Sequence, residues 1–411
     1  MKYQPLNLLN VFLDFPTKQK VGRLAQVNGR VYFEYEQHFL SSKLELSPFK
    51  LPLKPGVIQC NEMLFEGLFG VFNDSLPDGW GRLLLDRHVR THGIAPELLT
   101  PLDRLTHVGP FGMGAFIYEP DVWEKTVHSD VIHLDKLATE SQEVLEGESE
   151  DVFTELLELS GSSAGARPKV MVGVDENKKR IIYGQQHLKK NYDHWMVKFS
   201  SSHDMKDMGA IEYAYSLMAK AASIEMMDTH LFPSKKGTGY FGVMRFDRDK
   251  EKRKHMHTIS GLLHADHRLP SIDYEHIMRA TQQLTHNIKE VEKILSLCAF
   301  NVFAHNRDDH AKNFSFLMDD QGRWTVSPAY DLTFSSGPGG EHSTTVMGEG
   351  RSPGKKHLLK LGEKFGVSQI FINHIIDEVQ CAVNKWPLFA DEAGVRKTSS
   401  KLIANVIMGK R

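Results

Sequence analysis

Cysteine is scarce: three in 411 residues, Cys60, Cys298 and Cys381, all outside any CxxC or Cys/His ligand spacing. This excludes a disulfide framework or a zinc knuckle and fits a reducing compartment. A charge of one sign is lacking as well, with 50 Lys and Arg against 52 Asp and Glu. No overall field pulls the chain onto DNA or an acidic membrane, so a nucleic-acid contact must be local or borrowed from a partner. Long apolar runs are missing. The opening MKYQPLNLLNVFLDFP has a short apolar stretch and no small-residue cleavage site, and no later stretch is long enough to span a bilayer. The expectation is a soluble, unprocessed, cytoplasmic protein without a membrane partner. Internal repeats are absent, and Ser335 to Gly340 is the only low-complexity piece.

What is present, 41% hydrophobic and 25% charged residues, suffices for two or three packed units. Residues 8 to 65 predict strands, with GRLAQV and RVYFEYE joined at Asn28-Gly29, a dipeptide that tolerates positive φ at both turn positions. The turn cluster Asn73 to Gly79 precedes a helix over Trp80 to Val89, and a second helix is expected over Pro101 to Thr106. Val131 to Glu158 reads as helices punctuated by Gly147, with a boundary placed near residue 125. KVMVGV, IIYG and HWMVKF then follow at the short spacing of an antiparallel sheet. Beyond the helix Met208 to Ala222 and the strand ending GYFGVMRF, most segments from Tyr274 onward predict helix. The fold class is α+β, divided into 1–124, 125–245 and 246–411.

The chemistry concentrates in His305 to Phe314, where Arg-Asp is followed by four residues and then Asn. A kinase catalytic loop uses that spacing: the Asp must reach the acceptor hydroxyl, while the Asn one short turn later holds a metal ion on the ATP phosphates. Asp308 is the candidate base and Asn313 a Mg²⁺ ligand. Asp331, after the next predicted strand, supplies a second oxygen ligand of the kind Mg²⁺ prefers. Each alone reads as a capping or loop residue; the three together at kinase spacing reverse that reading. Ser160 to Lys169 is a Gly/Ser loop before a strand, able to bring backbone N–H groups near phosphates. Lys198 lies in the alternating strand HWMVKF, where kinases place the lysine that meets the α/β-phosphates; a solvated edge lysine is the bland alternative.

These segments resemble the HipA family of bacterial serine/threonine kinase toxins. The family pattern S-x-A-G-x-Q-P-K matches Ser162 to Lys169, with Arg167 in place of Gln, and D-x-H-A-K-N-F matches Asp308 to Phe314 in full. The resemblance also takes in Leu76-Pro77-Asp78 with Arg82, Arg245-Phe246-Asp247-Arg248 and Pro328-Ala329-Tyr330-Asp331, and so spans nearly the whole chain. It implies a protein-kinase-like two-lobed fold with an extra N-terminal β-rich subdomain and a helical C-terminal lobe. It implies ATP held by Ser162, Ser163, Ala164, Gly165, Ala166 and Lys169 of the phosphate loop, by Lys198, by the hinge Met244, Arg245 and Phe246, and by His310 and Lys312. Asp308 would be catalytic, and Asn313 and Asp331 would hold Mg²⁺. Ser162 falls on the family's inhibitory autophosphorylation site, with Ser160 and Ser163 as neighbouring candidates. The partners implied are a helix-turn-helix antitoxin of HipB type, an aminoacyl-tRNA synthetase as substrate, and operator DNA only through the antitoxin complex. Met244, where Glu is expected, and Arg167 are the departures.

Two other functions share these residues: a small-molecule phosphotransferase, because sugar and antibiotic kinases use the same Asp-x4-Asn arrangement, and a corepressor acting through the antitoxin with a vestigial site. The run Gly109 to Gly114 precedes a strand where a dinucleotide motif would open a helix, which reads as a structural turn. His255, His257, His264 and His267 lack ordered ligand spacing and read as a solvated loop. Ser335 to Gly354 sits where an activation segment lies, and its composition predicts mobility.

Overall fold

The computed structural model describes residues 3–122, 131–147, 153–160, 165–184, 188–201 and 204–409. The expected boundary near residue 125 lies outside the described residues, as do Ser162, Ser163 and Ala164.

The chain opens with strands β1 (Leu8–Asp14), β2 (Lys18–Val27) and β3 (Arg30–Tyr35), followed by helix α1 (Gln37–Leu40) and β4 (Val57–Gln59). Helices α2 (Gly70–Asn73), α3 (Gly79–Thr91) and α4 (Pro101–Val108) precede β5 (Phe116–Glu119). These strands form an antiparallel sheet in the order β4-β3-β2-β1-β5. The β2–β3 hairpin turns at Asn28 and Gly29, with φ of 51° and 74°, as the dipeptide predicts. Every second residue of β1, Leu9, Val11 and Leu13, is buried, the period of a half-covered strand.

Helices α5 (Leu134–Glu146) and α6 (Phe153–Ser160) lead into β6 (Lys169–Asp175), β7 (Ile181–Tyr183) and β8 (Tyr192–Lys198). Helix α7 (Met208–Ala221), β9 (Thr229–Phe232) and β10 (Tyr240–Met244) complete a second antiparallel sheet, ordered β7-β6-β8-β10-β9. A short hairpin, β11 (Arg248–Asp249) with β12 (Lys252–Arg253), and strand β13 (His255–Thr258) start the last third, followed by α8 (Ile259–Leu263). Then come β14 (Ile272–Asp273), α9 (Tyr274–Thr285) and α10 (Ile288–Phe303). After β15 (Ser315–Met318), β16 (Trp324–Val326) and β17 (Thr344–Thr345) the chain ends in α11 (Lys355–Lys364), α12 (Gln369–Val383), α13 (Trp386–Glu392) and α14 (Lys397–Met408). Among the described residues no helix is long and apolar enough to cross a membrane.

The N-terminal unit contributes to both hydrophobic cores. One core runs from Leu9, Val11 and Phe33 of the first sheet through Ile259, Leu262 and Phe316 into α9 to α12. The other packs Trp80, Leu84 and Leu85 of α3 with Val170, Val172 and Trp195 of the second sheet.

The seam explains a misreading of the histidines. His255 and His257 stand in β13, fully buried under the N-terminal unit. His255 Nε2 meets the Leu46 carbonyl at 2.9 Å, and His257 bridges Ser47 Oγ at 2.9 Å and Asp74 Oδ2 at 2.6 Å. Burial pushes His255 down to about 3. Two of the four histidines expected in a solvated loop therefore stand in an interior strand, each held by a partner more than 180 positions upstream, while His264 and His267 lie half-buried in turns beyond α8.

Candidate active site

Helix α7 buries Ala210, Ile211, Ala214 and Tyr215, and on that apolar face stands one carboxylate, Glu212. Strand β8 ends beside it, and Lys198 Nζ donates to Glu212 Oε2 at 3.0 Å and also to Asp331. Both Lys198 and Glu212 are buried. Burial alone would lower the Lys198 pKa; Asp331 and then Glu212 outweigh it and hold the ammonium well above its ordinary value. Asp331 experiences the converse: burial pushes its carboxyl up, but Lys198, Lys169 and Arg167 together keep it far below the carboxylate range. Its backbone sits at φ 55°, a left-handed position that a non-glycine residue adopts only when its surroundings hold it there.

The catalytic-loop candidates converge on the same place. After α10, Asn313 Nδ2 donates to the Asp308 carbonyl at 2.7 Å, which closes the loop and turns the amide oxygen the other way. Tyr330 donates its hydroxyl to the Lys312 carbonyl at 2.5 Å, which aligns the Asp331 segment with the loop. The Asp308 side chain is exposed to solvent. Partial desolvation raises its pKa, with neighbouring Asp331 adding and His310 and Arg167 opposing. Lys312 is buried and donates to Asp78 Oδ2 at 2.6 Å.

Lys169, buried at the start of β6, lies under Gly165, where the candidate phosphate loop ends: a Cβ added at Gly165 would stand 2.6 Å from its Nζ. Gly165 itself has φ +100°, so a side chain there would be strained as well as crowded. Burial, followed by Lys198, lowers Lys169 to about 8, against the pull of Asp331, Asp78 and Glu212. Ala166 is exposed. Ser160 is fully buried, donates to the Lys169 carbonyl at 3.0 Å and accepts from Trp80 Nε1 at 2.9 Å. That hydroxyl is committed in both directions, so Ser160 does not present itself to a phosphate donor.

At the expected hinge, the N–H groups of Met244 and Arg245 donate to the carbonyls of Asp228 (2.9 Å) and His194 (2.8 Å). An adenine cannot take its hydrogen bonds from those two donors without displacing them. The Arg245 side chain turns inward onto Asp247, at 2.9 and 2.8 Å, and Phe246 is buried against the Tyr330 ring. The glycine run is a structural turn: Gly114 N–H donates to Asp247 at 2.7 Å, while the Gly112 and Gly114 carbonyls receive Arg248.

Two residues gain roles that spacing did not reveal. Glu212 is the carboxylate partner of the strand lysine; the available signal was a lone acid on an otherwise apolar helix face. Arg167 donates to the same Glu212 and to Asp204 at 3.1 Å, so the departure from the family pattern adds a second cation to that carboxylate. Glu212→Gln is expected to lower kcat/KM by about 10²-fold by letting Lys198 drift from its position; steady-state kinetics beside an unchanged circular-dichroism spectrum checks this. The segment Ser335 to Gly354, read from composition as mobile, is tied down. Arg307 donates to the Gly340 and Arg351 carbonyls, Asp309 accepts from Thr344, and Asp273 accepts from Thr345 and Gly348.

The donor set fits ATP·Mg²⁺: Lys198 and Lys312, here paired with carboxylates, and the neighbouring Lys169 are cations of the kind phosphates take, and Asn313 and Asp331 offer the oxygen ligands a hard cation takes.

Comparison with known proteins follows the same outline. The chain is 32% identical over 106 residues to the Y4mE protein of Sinorhizobium fredii, a match covering 26% of this chain and 20% of that protein. The HipA chain in a complex of HipA, HipB and operator DNA from the toxin–antitoxin system of Shewanella oneidensis MR-1 superposes with a TM-score of 0.70 at 16% identity. That superposition covers 98% of this chain and 95% of the other. The Helicobacter pylori proinflammatory kinase CtkA gives a TM-score of 0.33 at 12% identity, over 53% of this chain and 94% of its own. The architecture is α+β, a β-rich N-terminal unit followed by a second antiparallel sheet and a largely helical C-terminal part, and it shares the fold of the Shewanella HipA chain. A model of the HipA N-terminal domain matches residues 9–119, and one of the HipA-like C-terminal domain matches residues 161–386, more than half of the chain. On the weight of these two matches, the chain belongs to the HipA family.

Proposed function

We propose that the chain is an ATP- and Mg²⁺-dependent protein serine/threonine kinase acting as a growth-inhibiting toxin in the cytoplasm. The observation that carries this reading is Lys198 shared between Glu212 and Asp331, with Asp308 and Asn313 on the adjoining loop. When bound, ATP·Mg²⁺ supplies the phosphoryl group and the metal's neutralising charge. Lys198 and Lys169 would hold phosphates, Asn313 and Asp331 the metal, and Asp308 would accept the proton of the acceptor hydroxyl. The three-part division at residues 124 and 245 belongs to the same reading. Support for the biology comes from the relatives' names: Y4mE is named as a kinase, and the Shewanella HipA is described in a toxin–antitoxin complex with HipB and operator DNA. A HipB-type antitoxin is the partner proposed here, operator DNA is reached through it, and an aminoacyl-tRNA synthetase is the proposed substrate.

Phosphorylation of Ser162 or Ser163 would add roughly −1.5 to −2 charge beside ATP's own phosphates and shut the site down. Intact-mass spectrometry of purified protein with and without ATP·Mg²⁺, followed by peptide mapping, tests the reading. Phosphate on Ser162 or Ser163 supports a self-limiting kinase; no phosphate on the chain and none on added protein acceptors removes it.

Lys169 sets a pH dependence. With its pKa near 8, it is cationic below that value, so affinity for AMP-PNP·Mg²⁺ is expected to fall as pH rises from 7 to 9. Calorimetric titration across that range checks this, and a flat profile separates Lys169 from phosphate binding.

A further inference from the structure

We infer that Asp78, supplied by the N-terminal unit, is a positioning residue that latches the two kinase-like lobes together across the nucleotide site. Resting on the kinase reading, the inference gives the N-terminal unit a part in nucleotide binding. Asp78 occupies the N-cap position of α3, where an aspartate ordinarily accepts from its own helix's first N–H groups, yet it makes no such bond. One carboxylate oxygen accepts instead from the Gly165 N–H, at the phosphate-loop exit. The other accepts from Lys312 Nζ at 2.6 Å, in the catalytic loop between Asp308 and Asn313. A single carboxylate from a third unit thus bridges both lobes.

Neighbouring contacts reinforce the arrangement. Trp80 N–H donates to the Gly165 carbonyl at 3.1 Å, and its indole donates to Ser160 at 2.9 Å, so the start of α3 grips the chain at Gly165 and at Ser160. The approach is close enough that a Cβ at Gly79 would stand 2.6 Å from the Gly165 oxygen. Charge-assisted bonds of this kind are the stronger class, and the pair removes two groups from water that would otherwise remain unmatched.

The test compares the full chain with Asp78→Asn, which keeps the shape and removes the charge, and with Asp78→Glu, which keeps the charge. Asp78→Asn is expected to weaken AMP-PNP·Mg²⁺ binding about tenfold or more, to raise KM for ATP more than it lowers kcat, and to speed hydrogen exchange of the amides over 165–169. Asp78→Glu is expected to recover part of each effect, which a merely structural role would not produce. Unchanged binding and exchange overturn the latch. Tighter nucleotide binding by Asp78→Asn overturns it too, because Asp78 would then be a competitor with phosphates for Lys312. Should Asp78→Asn fail to fold, Trp80→Phe, which removes the indole N–H grip on Ser160 together with part of a buried ring, is read by the same exchange measurement with the amides of β8 as the reference for general loosening: faster exchange confined to 165–169 supports the grip, and unchanged or uniformly faster exchange overturns it. If the parent chain itself binds no AMP-PNP·Mg²⁺, the kinase reading fails while the exchange arm still decides the latch.

Discussion

Asp308→Asn is expected to slow phosphoryl transfer about 10²- to 10⁴-fold, the contribution of a positioned general base, while ATP·Mg²⁺ binding stays close to that of the parent. The separation follows from the geometry. Lys198, Glu212 and Asp331 form the ion-paired cluster that would meet phosphates and metal, whereas the Asp308 side chain is exposed and its backbone is fixed through Asn313. Removing the carboxylate therefore takes away an interaction made in the transition state and leaves ground-state binding in place. Single-turnover phosphorylation followed by mass, beside a calorimetric titration of AMP-PNP·Mg²⁺, reads the two quantities separately; full transfer by the variant would remove Asp308 from the mechanism. Because its pKa is raised and the base acts deprotonated, transfer by the parent is expected to fall as pH drops through that raised value.

Asp247→Ala is expected to cost about 3–5 kcal/mol of stability, the range for removing one partner of a buried ion pair. Asp247 is fully buried, and its carboxylate meets Arg245 at 2.8 Å, Arg248 at 2.6 Å and the Gly114 N–H at 2.7 Å. The variant would leave two buried guanidinium groups without their counter-ion. Burial pushes the Asp247 carboxyl up, but Arg245 and Arg248 outweigh it and hold it well below the carboxylate range. The folded state thus binds this proton less readily than the unfolded state. The corresponding stability is present above the unfolded carboxylate pKa of about 3.9 and is lost as pH falls below it. Urea titrations from pH 7 down to pH 3 should show a shallower acid slope for Asp247→Asn than for the parent. Equal slopes would mean that the acid sensitivity resides elsewhere, with Asp78 and Asp331, also held low, as the next carboxylates to replace.

Much of the architecture is legible because it rests on local signals. The Asn28-Gly29 turn, the alternation in β1 and the runs KVMVGV and HWMVKF each carry their own periodicity, and the strands formed where those patterns lie. Lys198, Asp308, Asn313 and Asp331 could be placed together because kinase chemistry constrains their order and spacing. What escaped was set by pairing between distant segments. Glu212 is one acid in a helix, and only the superposition of α7 on β8 makes it the lysine's partner. His255 and His257 look like solvent-facing polar residues until the first sheet covers them. The Gly/Ser-rich stretch after Asp331 looks mobile because composition does not display Asp273, Asp309 and Arg307, which hold it from elements already folded around it.

The shared core also fixes an order of events during synthesis. The first sheet can pair its strands as soon as β5 emerges, yet the Leu46 carbonyl waits for His255, 209 positions later, and Asp74 waits for Thr258, 184 positions later. Until α8 and then β15 leave the ribosome, the apolar surface that will meet Ile259, Leu262 and Phe316 stays in water, and nascent chains in that interval are the ones a holding chaperone would recognise.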